Sequence, residues 1–261
     1  MADPLASATL KLKRANLHAG TLKRETRRFL NAHEKPTFRG QFEANFTRYV
    51  VYVRTGYPDP PDSFAVIFGD AIHNYRSALD HLAWQLVKHG NQPRPARPQD
   101  VQFPIYDLKR TFEKNVGRRL PGANGDAIEF IKSRNAHPRW NSRHNVLRHL
   151  ARWTNDDKHR NVQLIASGLH HITLTSRTSD CINLGVVHTV KRAPKFKQGA
   201  KVAELAIRPT GPHPKVKMEP ALVQSTVSLS RSGMIAIWVL DEIRDEVRTI
   251  LNAPEIRAAM A

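Results

Sequence analysis

The sequence predicts an α+β protein: a helical core, then a C-terminal antiparallel β-sheet and a closing helix. Three observations lead there. Within the stretch from Asp62 to Lys88, Ala71, Ile72, Tyr75, Ala78, Leu79, Leu82, Ala83 and Leu86 share one arc when placed at about 100° per residue, the signature of a core-facing helix. From Val162 onward the texture changes to β-branched runs divided by turn-forming pieces such as Pro209-Thr210-Gly211-Pro212. Near the end, Ile235, Trp238, Val239, Ile243, Val247 and Leu251 return to the helical period behind Ser232.

Taken in order, Leu5 to Ala32 reads as a helix in which Leu10, Leu17, Leu22, Phe29 and Leu30 stand among many Lys and Arg, and Pro36 ends it. The pairs Lys23-Arg24 and Arg27-Arg28 fit a solvated face. Phe38 to Arg54 alternates aromatic and β-branched residues and predicts one or two strands, with Phe42, Ala44, Phe46, Val50 and Tyr52 on one face. Prolines 58, 60 and 61 force a loop, after which Asp62 or Ser63 caps the central helix and Gly90 stops it. A proline-bearing connection follows, and Phe103-Pro104-Ile105 is expected to tuck back onto the core. Short helices are expected at about Leu108 to Asn115 and Asp126 to Arg134, and a longer one from Ser142 to Arg160. Strands are expected at Val162–Ile165, Ile172–Thr175, Ile182–Val190, Val202–Ile207 and Val223–Leu229. The division that results is 1–161, mainly helical, and 162–261, β-rich with the last helix, the two packed as one unit.

Charge narrows the partners. Forty-one Lys+Arg against twenty-three Asp+Glu gives +18, which favours a polyanion, nucleic acid before an acidic membrane surface. The run from Lys191 to Lys201 holds Lys191, Arg192, Lys195, Lys197 and Lys201 without an acid, and is the best candidate for contact with a phosphate backbone. A single cysteine, Cys181, cannot close an internal disulfide and fits a reducing cytosol. No secretory pattern opens the chain, and no run reaches the ~18 apolar residues that span a bilayer. A cytoplasmic protein without membrane, cofactor or metal is the expectation.

The central helix carries the chemistry. Opposite its apolar arc stand Asp70, His73, Asn74, Arg76, Ser77, Asp80, His81, Trp84 and Gln85, with no Lys or Glu among them. Short directional groups are middling helix formers at best, so such a face implies a second surface covered by protein or by ligand. In the helix from Ser142, Asp157 falls on the apolar arc between Val146 and Leu150. A core-facing carboxylate requires a partner, and Arg76, His73 and His81 are those on offer.

Gly69-Asp70-x-x-His73-Asn74-x-Arg76-Ser77-x-Leu79-Asp80-His81-Leu82, with Asp157-Lys158-His159-Arg160 further on, resembles a bacterial family of uncharacterised proteins with these two signatures. That resemblance spans about residues 60 to 165 and implies no activity. Arg76 to His81 is also similar to the Arg-x4-His pattern of the HEPN superfamily, helical domains that include many metal-independent endoribonucleases. The resemblance implies a HEPN-like bundle, commonly with active sites formed across a homodimer. It makes His81 the acid or base for the ribose hydroxyl or leaving oxygen and Arg76 the holder of phosphate charge, with Asp80, Asn74, His73, Asp157 and His159 in support. On an unbroken helix Arg76 and His81 stand about 140° apart, so a kink or a second subunit would have to unite them.

Other readings of the same residues stay open. Arg76, Asp80, His73 and Asp157 form a purely structural polar network in one, which leaves a non-catalytic nucleic-acid-binding protein. His73, His81, Asp157 and His159 could offer imidazole and carboxylate to zinc or iron, although no tight ligand spacing is present. Ser77 and Cys181 lack the surroundings of an activated nucleophile.

Overall fold

The structure is a computed structural model that describes residues 3–43, 45–91, 93–135, 146–159, 164–168, 172–189, 197–222, 225–229 and 234–261. For residues 158–159, 166–168, 172–178, 183–189, 217–222 and 225 it describes the backbone alone. The protein is mixed α+β, as its periodicities predict. The described elements are α1 (Ala6–Asn31), β1 (Thr37–Glu43), β2 (Arg48–Thr55), α2 (Ser63–Lys88), α3 (Lys109–Arg119), α4 (Gly125–Asn135), α5 (Val146–His159), β3 (Leu164–Gly168), β4 (Ile172–Ser179), β5 (Cys181–Thr189), β6 (Lys201–Pro209), β7 (Lys215–Leu222), β8 (Ser225–Leu229), α6 (Ala236–Asn252) and α7 (Pro254–Ala258).

Two compact units result. The first comprises residues 1–22, 65–162 and 237–261; the second comprises 23–64 and 163–236. The first unit is helical and is built on α2, whose Phe68, Ile72, Tyr75, Leu79 and Leu82 are completely buried. Each such side chain contributes about 1.5–3 kcal/mol by leaving water. Leu5 just before α1, Phe112 of α3, Ile131 of α4, Leu150 of α5, and Ile243 and Val247 of α6 join the core of the same unit. Gly90 ends α2 where a Cβ would stand 2.1 Å from the Gly122 carbonyl oxygen, and Asn91 N–H donates to that oxygen at 2.7 Å. Only glycine lets the two turns touch.

The second unit holds an antiparallel sheet in the order β1-β2-β6-β5, so the N-terminal hairpin and the later strands share one sheet. Two further antiparallel pairs, β3 with β8 and β4 with β7, complete its ladders. The inner face of the hairpin differs from the expected one. Tyr49, Val51 and Val53 pack with Val202, Ala203, Leu205 and Ile207, while Tyr52 is only half-buried and Phe46 lies exposed in the turn at φ 65°. Val50 is also buried, so β2 is covered on both faces, and simple alternation could not choose between them. Ala44 lies outside the described residues.

Three other expectations change. β7 escapes sequence reading because its alternate positions are Lys215, Lys217 and Glu219 and it contains Pro220; β4 is the strand it pairs with, and an edge position tolerates a proline. Trp238 is 54% exposed rather than on the apolar side of the last helix, because it lies within about 40° of Glu242 and Asp245 and roughly 100° from Val239. The short α7 follows Pro254 where no helix was expected. The predicted helix starts at Ser142 and Ser232 fall outside the described residues. Among those residues no helix is long and apolar enough to cross a membrane.

Candidate functional site

The polar face of α2 lies in the helical unit, and three neighbours meet it. At its N-terminal end Gly69 is buried against α5: a Cβ there would stand 2.6 Å from Oδ2 of Asp157 and 2.9 Å from Oδ1. The missing side chain thus admits a carboxylate onto the helix surface. Asp157 Oδ2 meets His73 Nε2 at 2.9 Å, with the imidazole 36% and the carboxylate 22% exposed. This is the partner that a carboxylate on the apolar arc of α5 required. Beside it Trp153 packs edge-on to Phe68 and stacks with His149, ring centroids 4.9 Å apart. One turn along the other edge, Asp70 lies 3.8 Å from His18 of α1.

The middle of the face holds a different device. Arg76 Nε donates to Asp80 Oδ2 at 3.1 Å, and its terminal nitrogen reaches Asp80 Oδ1 at 2.9 Å and the Phe103 carbonyl oxygen at 2.8 Å. Asp80 Oδ1 in turn accepts the Phe103 N–H at 2.9 Å. One ion pair therefore satisfies both backbone groups of a buried residue. A forked guanidinium beside a carboxylate one helical turn away is suited to this, since each retains a lone donor or acceptor for a third group.

The grip continues along the same segment. Asn135 of α4 donates to the Pro104 carbonyl at 2.8 Å and accepts the Tyr106 N–H at 3.1 Å. Arg119 of α3 donates to the Asp100 carbonyl at 3.0 Å and to the Tyr106 hydroxyl at 3.3 Å. Residues 100–106 thus form a strap fastened by side chains of three helices, with Phe103 sunk into the core. Beneath α2, burial pushes the Tyr75 phenol far above its ordinary range; its hydroxyl donates to Asn16 Oδ1 at 2.9 Å.

No family model, curated protein or solved structure matches this chain. What the site can do must come from its own geometry.

Of the residues singled out in the sequence, Arg76 and Asp80 lie together on the strap, and His73 and Asp157 lie together on Gly69. Asn74 bonds back to the Asp70 carbonyl within its own helix at 2.8 Å. α2 runs unbroken from Ser63 to Lys88, so Arg76 and His81 keep their separation of about 140°. His81 is half-buried and makes no hydrogen bond or ion pair with the described residues. The side chain of His159 lies outside the described residues, as do Lys191, Arg192 and Lys195. Lys197 is exposed, and Lys201 is paired with Glu204. Among the described residues no group of three or more His, Cys, Asp or Glu could hold a metal ion.

Sequence reasoning missed Gly69 as a contact, and it missed Asn135 and Arg119. A glycine that opens the motif was a usable signal, since a mid-helix glycine asks for a close neighbour. Asn135 and Arg119 carry no such mark, because their partners are backbone atoms 29 to 31 and 19 residues distant.

Proposed function

We propose that this chain is an RNA-directed binding protein in which the polar face of α2 is architectural. One observation supports the architectural half above all: the Arg76 guanidinium is already bonded to Asp80 and to the Phe103 carbonyl, so a phosphate oxygen would have to displace both and leave a buried carbonyl unpaired. The nucleic-acid half rests on the excess of 41 basic over 23 acidic residues, which draws a polyanion and releases its counterions, and RNA is taken before DNA on the resemblance of Arg76 to His81 to the HEPN pattern. The decisive assay is RNA binding measured across a range of salt concentrations in EDTA. Affinity that falls steeply with salt, with no strand scission, supports the reading; a protein that shows no RNA affinity at low salt overturns it. Arg76→Ala should lower the melting temperature while the folded fraction binds RNA as the parent does.

A second reading keeps a metal-independent, HEPN-like endoribonuclease. It is favoured by His81, half-buried yet with no partner among the described residues, and by the imidazole of His73, oriented by Asp157. In it His81 moves the proton of the ribose hydroxyl or leaving oxygen, and Arg76 reaches phosphate only across a homodimer or after leaving the strap. Cleavage in EDTA that vanishes in His81→Ala, with folding and RNA affinity intact, would establish this reading over the first.

A further inference from the structure

α3 is a helix whose charges work against its own stability. Lys109 and Arg110 sit in its first turn, where no acid is present and the helix dipole is positive. Arg110, Lys114 and Arg118 then follow one another at one per turn, all exposed, so like charges face each other about 6 Å apart along the axis. The dipole explains Arg118 at the negative end but opposes Arg110. Glu113, the only acid of the helix, points elsewhere: it lies 3.8 Å from Lys109 and 3.5 Å from Lys132. Arg119 turns inward to the strap, and Phe112 buries the opposite side.

Beside this row lies Gly117. It stands in the last turn of α3, where glycine still weakens a helix relative to alanine, and a Cβ added there meets nothing within 4 Å. Packing within the protein does not require the glycine, in contrast to Gly69 and Gly90. What it does is bare the backbone between Lys114 and Arg118, the arrangement that lets another backbone come close.

We propose that the exposed row Arg110, Lys114 and Arg118, with Gly117 between the last two, is where this protein holds the phosphate backbone of RNA. The inference rests on the RNA-binding reading and locates it. The cations are spaced to meet successive charges of a strand, and an anionic partner would remove the repulsion along the row. A membrane surface suits it less well: no large apolar side chain accompanies the row to enter the acyl region, Leu108 lying before the helix and Phe112 beneath it.

The test uses the full chain and a labelled, mixed-sequence single-stranded RNA, titrated over a series of potassium chloride concentrations. Replacing Arg110, Lys114 and Arg118 by alanine together should weaken binding and reduce the slope of log affinity against log salt by about 2, at roughly 0.7 per phosphate contact on a single strand. Removing Lys11, Lys13 and Arg14 from α1 takes away the same charge and should change the slope far less. Gly117→Ala should raise the melting temperature by about 1–2 °C, less than the same change in mid-helix because position 117 lies in the last turn. Gly117→Leu should leave the protein folded and weaken RNA binding about tenfold. If the wild type binds RNA and the α3 triple variant binds it with the same slope, this location is wrong while the RNA reading stands. If the wild type binds no RNA, both fall. Binding to vesicles rich in phosphatidylserine, lost in the triple variant while RNA binding persists, would overturn the proposal in favour of a membrane.

Discussion

Asp157 and Gly69 are in contact across α5 and α2, and the contact uses the space that a side chain at position 69 would fill. A Cβ at position 69 would stand 2.6 Å from Asp157 Oδ2, a separation that real side chains do not tolerate. Gly69→Ala must therefore push the carboxylate off the helix and away from His73. The carboxylate can swing aside and alanine returns up to ~1 kcal/mol of helix propensity, so the expected net cost is about 1–2 kcal/mol, set by leaving a partly buried polar group poorly paired. Denaturant unfolding at neutral pH measures it. In an Asp157→Ala background the same glycine substitution should cost far less, because the obstacle has gone, and equal losses in both backgrounds would contradict the contact.

The Arg76–Asp80 pair and Asn135 hold neighbouring residues of the same strap. Arg76→Ala leaves the Phe103 carbonyl unpaired and frees Asp80, and should destabilise the protein by about 1–3 kcal/mol. Asn135→Ala orphans Pro104 O and Tyr106 N together and belongs in the same range. The double variant should lose less than the sum, since a strap released at one point no longer presents the next. Strict additivity in urea unfolding would argue that the two fastenings act on independent segments.

Tyr75 gives a pH prediction with a definite sign. Burial raises its folded-state pKa well above the unfolded value near 10, so the folded protein holds this proton more tightly. The stabilisation is whole below pH ~10 and is lost as pH climbs from there toward the folded value. Unfolding free energy followed into alkali should decline above pH ~10, and Tyr75→Phe should flatten part of that decline. Tyr49, whose phenol burial also raises, and Tyr52, raised by its hydrogen bond to Glu43, add to the decline in the same direction.

Gly40 of β1 faces Tyr49 of β2, and a Cβ there would lie 2.2 Å from the ring. The ring covers the glycine and sends its hydroxyl to the Val216 carbonyl at 3.2 Å. Gly40→Ala should displace the ring, break that bond and lower the melting temperature by several degrees, as judged against about 2–4 °C per kcal/mol for a chain of this length. Tyr49→Ala should rescue the alanine at position 40, although it costs stability of its own.

The central helix was legible in the sequence because its apolar arc is strict and Gly90 marks its end. Asp157 was legible as a residue in need of a partner, since a charge on an apolar arc is costly whatever surrounds it. The choice of His73 from three candidates was not legible, because it depends on the depth to which Gly69 admits α5. Arg76 and Asp80 suggested chemistry as a dense polar string, but their partners are backbone atoms of Phe103, and backbone atoms leave no trace in a residue pattern. β7 was missed for a related reason: Lys215, Lys217 and Glu219 alternate correctly for a strand but carry none of the hydrophobicity by which strands are recognised. Phe42 of β1 packs on the inner face as expected, but the face of β2 was misassigned because Val50 is buried along with Val51 and Val53, which removes the contrast that alternation needs.

The fastening of the strap by side chains has a consequence for how this protein can vary. After Asn91, whose N–H is held by the Gly122 carbonyl, the chain is next fastened near Asp100, beyond a run that contains Pro93, Pro95 and Pro98. Residues 93–99, exposed apart from the half-buried Pro95, carry little of the fold, and lengthening a loop there adds only a slowly growing closure entropy. An epitope or a small domain spliced between Arg94 and Arg97 should leave the protein folded, whereas a single residue inserted between Phe103 and Tyr106 would put the Asn135 fastening out of step with those at Asp100 and Phe103.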